Sequence, residues 1–374
     1  MKWTLIAGGI AATALLVWFV IPEQSAAAYV RGEIQTCLAT GEASWRGTCF
    51  KNIAEEFMRE LSLEGTLAAL AEIDDEEGIK QQCHALVHYL GQSAYRESGS
   101  LSQTFARCST KIACGEGCYH GAVEAYIMET GNQLEDATIA DICSRDYTGN
   151  ETNYAACVHG LGHAFMLLEG DDIFRSLPKC DFLAVDDRDE CYAGVFMEHV
   201  FGAESVDHPS QYIDKKDPMY PCTIVEERYK NMCYSAQVNL MMPSGPDRYR
   251  VGAQFCADVP QKYAPACYGT LGGDAILSTD DPREIVAICS IAPSGLAREM
   301  CLREAVKFLG HGSAGDPEKM STVCFVANIE DQSRCFTMVG EMLEEWHPTR
   351  RGEQCAVVNA RGTREYGWCS GETT

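Results

Sequence analysis

Cysteine spacing constrains this chain more than any other feature. Of its 20 cysteines, Cys49, Cys83, Cys118, Cys157, Cys191, Cys233, Cys267, Cys301, Cys335 and Cys369 form a series in which six of the nine intervals are 34 residues, the others being 35, 39 and 42. Such a period marks a repeat protein. A second series, Cys37, Cys108, Cys143, Cys180, Cys222, Cys256, Cys289, Cys324 and Cys355, precedes nine of those positions by 10 to 14 residues, so nine units each carry their own staple. Cys83 and Cys114 are left over, because unit two has Ala71 or its neighbours where a first cysteine should stand; these two are expected to pair with one another.

Paired thiols in this number persist only outside the reducing cytosol, so the chain is expected to be exported, to the periplasmic or extracellular side. The N-terminus agrees. Residues Trp3 to Ile21 carry no charge and are followed by Pro22-Glu23-Gln24, a run just long enough to span a bilayer. Ala26-Ala27-Ala28 offers a signal-peptidase site, whereas the length of the run favours a retained anchor. With Lys2 on the cytoplasmic side, either reading places residues from Tyr29 onward outside. The chain thus divides into an anchor or signal peptide at 1–28 and one helical-repeat domain at 29–374.

The remainder has the composition of a folded body, 46% hydrophobic and 22% charged. Its net charge of −24 disfavours nucleic acid and anionic lipid as partners. Within a unit the pattern reads helix, turn, helix. Asp281-Pro282 and Asp316-Pro317 open helices where a capping carboxylate and a missing N–H are favourable. Glu97-Ser-Gly-Ser, Glu169-Gly-Asp-Asp and Pro243-Ser-Gly-Pro supply turns between units. Alternating strand patterns are scarce. The expected fold is all-α: a right-handed α-solenoid of about ten αα-hairpins stapled within each repeat. Aromatics directly after the second cysteine, Phe50, Tyr119, Tyr192, Tyr234, Tyr268 and Phe336, recur at one register and are expected to pack between repeats.

On period, helix pairing and cysteine placement, residues 31–370 resemble the tetratricopeptide and Sel1-like α-solenoids, in particular the disulfide-stapled Sel1-like repeats of secreted bacterial proteins. The resemblance implies a scaffold that binds proteins or peptides.

Alignment of the second helices on their cysteines exposes a further pattern. Unit two reads Cys83-His84-Ala-Leu-Val-His88, unit three Cys118-Tyr-His120-Gly-Ala-Val-Glu124, and unit four Cys157-Val-His159-Gly-Leu-Gly-His163. Each helix carries an i,i+4 pair on one face, the spacing that zinc sites of the H-E-x-x-H type require. Unit five adds Glu198 and His199, slightly out of phase. The same positions in later units hold Ser235 and Asn239, Gly269 and Gly273, Arg303 and Lys307, and Thr337 and Glu341, so the histidines are not a mere repeat consensus. Imidazoles and carboxylates from adjacent helices suit Zn, Fe, Mn or Cu, without choosing among them. A structural use of these histidines, capping or packing against backbone, stands beside the metal reading.

Other chemistry is thinly represented. The G-x-S-x-G elbow, the phosphate loop and the dinucleotide fingerprint are all missing. Cys108, Cys114, Cys118 and His120 have the residue types of a zinc loop, but the repeat assigns those thiols to bridges. Arg303 and Lys307 lie one turn apart and suit either an anionic partner group or a solvated face. Two functions are therefore expected in contention: a membrane-tethered extracytoplasmic scaffold for a protein or peptide partner, and a metal-dependent oxidoreductase or hydrolase built on the histidine cluster.

Overall fold

The computed structural model describes residues 25–371 apart from 40–42, 77, 81, 110–112, 132–134, 203–208, 215, 314, 347–349 and 359–362. The apolar run Trp3–Ile21, His208 and His347 lie outside the described residues. Among the described residues, the chain folds into 19 α-helices with no strand, and no helix is long and apolar enough to cross a membrane.

The helices follow the cysteine period. Unit one is α1 (Ala26–Ala39) and α2 (Ala43–Glu60), unit two α3 (Ser62–Leu70) and α4 (Cys83–Ser98), unit three α5 (Leu101–Cys108) and α6 (Gly117–Thr130). Next come α7 (Arg145–Thr148) with α8 (Glu151–Leu168), and α9 (Ile173–Cys180) with α10 (Arg188–Phe201). In unit six the described residues ahead of α11 (Lys230–Met241) form mainly turns rather than a first α-helix. The pattern then resumes with α12 (Arg248–Asp258) and α13 (Ala264–Ser278), α14 (Pro282–Cys289) and α15 (Leu296–Ser313), α16 (Pro317–Val326) and α17 (Ile329–Trp346), and α18 (Arg351–Val358) and α19 (Thr363–Ser370).

Local chemistry accounts for these boundaries. Asp281 accepts a hydrogen bond from the Arg283 N–H at the start of α14, and Asp316 accepts from the Glu318 and Lys319 N–H groups at the start of α16. Gly99, at φ 64°, closes α4 in the left-handed conformation that a side chain resists. Many first helices span only 8 to 10 residues, too short to persist alone, and depend on what holds them to their partners.

All ten expected cysteine pairs lie at disulfide distance, with Cα atoms 5.4–5.8 Å apart, including Cys83 with Cys114. In most local pairs the first cysteine sits at or near the end of one helix and the second within the opening turns of the next; Cys143, which precedes α7, and Cys222, which lies among turns, are the exceptions. Paired thiols in this density suit an oxidising, extracytoplasmic environment. The six aromatics that follow the second cysteines are all buried.

The second helices form one continuous layer in which α2, α4, α6, α8, α10, α11, α13, α15, α17 and α19 each pack on the next. Glycine sets how closely they approach. A Cβ on Gly121 of α6 would overlap the His88 carbonyl oxygen of α4, and one on Gly194 of α10 would overlap the His159 carbonyl oxygen of α8. A methyl at either place must push backbones apart, at a cost of roughly 1–3 kcal/mol. The layer also curves back on itself. Helix α17 touches α8, and ion pairs join Lys80 to Asp280 and Lys307 to Glu190 across 200 and 117 residues. Helix α15 therefore faces α6 and α10 across an interior.

Candidate metal centre

His84 and His88 stand one turn apart on α4, His120 and Glu124 on α6, and His159 and His163 on α8. Because the glycines let these helices touch, their histidine-bearing faces meet in the interior. Neighbouring rings lie 4.9–5.4 Å apart between centroids. Two triads result, His84–His88–His120 and His120–His159–His163, each with one nitrogen per residue within 4.8 Å of the others. His120 belongs to both.

The outward nitrogens are fixed by oxygen. His84 Nδ1 lies 3.0 Å from the Cys114 carbonyl, His88 Nδ1 2.8 Å from Glu124 Oε1, and His163 Nδ1 2.8 Å from Glu198 Oε2. Gln92 donates to the second oxygen of Glu124 at 2.8 Å. A carbonyl or a carboxylate only accepts, so each of these Nδ1 atoms carries the proton and each neutral ring turns a bare Nε2 inward. This is the arrangement in which outer carboxylates and carbonyls orient metal-binding histidines.

The inward nitrogens meet without hydrogens enough to join them. His84 Nε2 and His88 Nε2 are 3.1 Å apart, and His88 Nε2 and His120 Nδ1 are 3.3 Å apart. One extra proton satisfies one such contact. The Nε2 atoms of His159 and His163 are buried and have no hydrogen-bond partner among the described residues. With metal–nitrogen bonds of about 2.0–2.1 Å, neighbouring ligand atoms lie about 2.9 Å apart in an octahedron and about 3.4 Å apart in a tetrahedron. The separations of 3.1 and 3.3 Å fall between the two.

Electrostatics separate the rings. Burial, with neighbouring His88, lowers the His84 pKa from 6.5 to about 3, and burial among other histidines holds His120 and His163 well below 6.5. Burial also opposes charge on His88, but Glu124 outweighs it and raises His88, while that pairing brings Glu124 down to about 2 against its own desolvation. A histidine held neutral binds no proton where the unfolded chain does. Below pH 6.5, therefore, His84, His120 and His163 each withdraw up to about 1.4 kcal/mol of stability per pH unit. His88 works in the opposite sense: its contribution is complete below pH 6.5 and disappears as pH rises through its raised value. For metal-free protein, thermal melts are expected to show a midpoint that falls steadily below pH 6.5, and a flatter profile in the His163→Ala variant.

Glu198 reaches the cluster through His163, whereas His199 stands apart: its Nδ1 lies 2.6 Å from Ser210 Oγ, and burial lowers its pKa to about 4. Sequence reasoning did not single out Glu116, Glu190 or the Cys114 carbonyl. Cys114 adopts φ 57°, a left-handed conformation costing about 1–2 kcal/mol for a side chain, and its carbonyl is the one that fixes His84. Glu190 Oε2 lies 3.8 Å from His159 Nδ1. Its position directly before Cys191 was legible, but its partner on another helix was not.

Comparison with family models, with curated proteins and with solved structures gave no match for this chain.

Proposed function

We propose that the chain is an extracytoplasmic metalloprotein, tethered through its N-terminal apolar segment. In this reading it is a right-handed α-solenoid of ten stapled hairpins whose interior holds a transition metal for chemistry on a bound substrate. The supporting observation is the convergence of five imidazoles, three of them locked on the far side by a carbonyl or carboxylate so that Nε2, bare in the neutral ring, points inward. A donor set rich in neutral imidazole and poor in inner carboxylate favours Zn or Cu over Mn, with Fe between them.

The residues divide by role. His84, His88, His120, His159 and His163 would hold metal; Glu124, Glu198 and the Cys114 carbonyl orient them. Such a metal supplies Lewis acidity or, for Cu or Fe, a redox couple. His88 and His159 keep 13% of their side-chain surface exposed while His163 keeps none, so the centre is not fully sealed. A hydrolase or oxidoreductase needs such access, and a purely structural metal does not.

Elemental analysis of protein isolated from an oxidising compartment and dialysed free of loose ions tests the proposal. Retention of one or two equivalents of a transition metal, removable by a strong chelator, is expected. Complete absence of metal, with none taken up on reconstitution, would defeat it. The scaffold reading would then stand instead, supported by exposed Phe182, Val185 and Ile224 on the turns of neighbouring units five and six.

A further inference from the structure

We infer that Lys307 and His311 of α15 form a carboxylate-binding subsite facing the histidine core, which makes the substrate a carboxylate-bearing molecule. This deepens the metal reading and rests on it.

The cysteine register already points Lys307 inward. It is the sixth residue after Cys301, as Glu124 is after Cys118 and His163 after Cys157. His311 follows one turn later. Lys307 Nζ lies 3.2 Å from one oxygen of Glu190, whose other oxygen is 3.8 Å from His159 Nδ1. His311 Nδ1 lies 2.7 Å from Glu116, which stands at the start of α6, four residues before His120. Two places beside the core thus already seat a carboxylate against a cation on α15. Glu116 stands at the N-cap position of α6, without a side-chain capping bond, and Glu190 lies in the first turn of α10, so helix N-termini add to the attraction for negative charge.

The subsite is open to solvent. Lys307, His311 and Glu190 keep 31%, 30% and 38% of their side-chain surface exposed. The Phe308 and Trp346 rings flank His311, with centroids 6.4 and 5.7 Å away, and give an apolar wall for the rest of a substrate.

Charge explains why an external anion would enter where internal ones already sit. Glu190 neutralises Lys307, and Glu116 neutralises His311, before any metal is present. Glu124 and Glu198 balance one divalent ion on the neutral imidazoles. A second ion, in the other triad, leaves a positive surplus in a partly buried interior, where uncompensated charge is costly. A monoanionic carboxylate on Lys307 and His311 offsets half of that surplus.

Protein carrying ring-labelled histidine, metal-free and zinc-loaded, is titrated with acetate against chloride at fixed pH and ionic strength, and zinc content is measured separately. The His311 resonance, assigned with His311→Asn, is expected to move saturably in the zinc-loaded protein. Lys307→Gln should raise the midpoint roughly tenfold or more, and Lys307→Arg should largely preserve it. A His311 resonance that stays put, or an equal midpoint in Lys307→Gln, overturns the subsite and marks the two ion pairs as fixed struts. If no zinc is retained the metal reading fails and takes with it the charge surplus that draws an anion in, so the subsite falls too; zinc retained with no saturable His311 shift overturns the subsite alone.

Discussion

Reducing the disulfides of the folded protein is expected to remove most of its helical circular dichroism and its cooperative thermal transition. Nine bridges close loops of 10 to 14 residues between short helices, and Cys83–Cys114 closes one of 31. Each local bridge is worth about 3 kcal/mol in the chain-entropy model. Several together exceed the net stability of roughly 5–15 kcal/mol typical of a folded domain. The first helices cannot make up the difference, since segments of 8 to 10 residues do not hold helix unaided. Circular dichroism with and without a phosphine reductant at neutral pH reads the effect. A reduced chain that still melts cooperatively within a few degrees of the oxidised one would show that packing alone holds the array.

His120→Ala is expected to strip metal from both triads. His120 is the one residue common to the two, is nearly fully buried, and lies between His88 on one side and the stacked rings of His159 and His163 on the other. Loss of an inner ligand should weaken binding by more than the roughly 10- to 100-fold that loss of an outer partner costs. His84→Ala or His163→Ala should remove only one triad's share, and His199→Ala should leave the content unchanged. The fold should survive at neutral pH, because the uncharged His120 ring takes part in no buried ion pair and α6 stays stapled to α5 through Cys108–Cys118, so the variant loses only the packing around one ring. Metal content beside melting curves for the four variants separates this outcome from simple misfolding. Equal retention in His120→Ala and wild type would refute a shared ligand.

Much of the fold was legible because covalent geometry prints itself on sequence. A staple between the end of one helix and the start of the next fixes cysteine spacing, so both the hairpins and all ten pairs could be read from it. Unit six escaped this reading: it keeps Cys222 and Cys233 but has turns where a first helix was expected. The three i,i+4 pairs of the site were visible for a similar reason, since helix periodicity and the cysteine register together place them on one face. His199 stands apart from the rings because it is one residue beyond Glu198, which turns its side chain about 100° around the helix, onto Ser210. Convergence of the rings depends on glycines such as Gly121 and Gly194, whose meaning emerges only when the opposing carbonyl is known. Glu116, Glu190, Lys307 and His311 were beyond reach as a group, because their meeting depends on how far the layer curves between α6 and α15.

X-ray absorption at the edge of whichever metal the protein retains tests the central claim most directly. The claim predicts a first shell dominated by nitrogen at about 2.0–2.1 Å, with the outer-shell scattering of several imidazole rings that disappears in His120→Ala. A shell of oxygen alone, a sulfur shell, or an unchanged spectrum in that variant would contradict it.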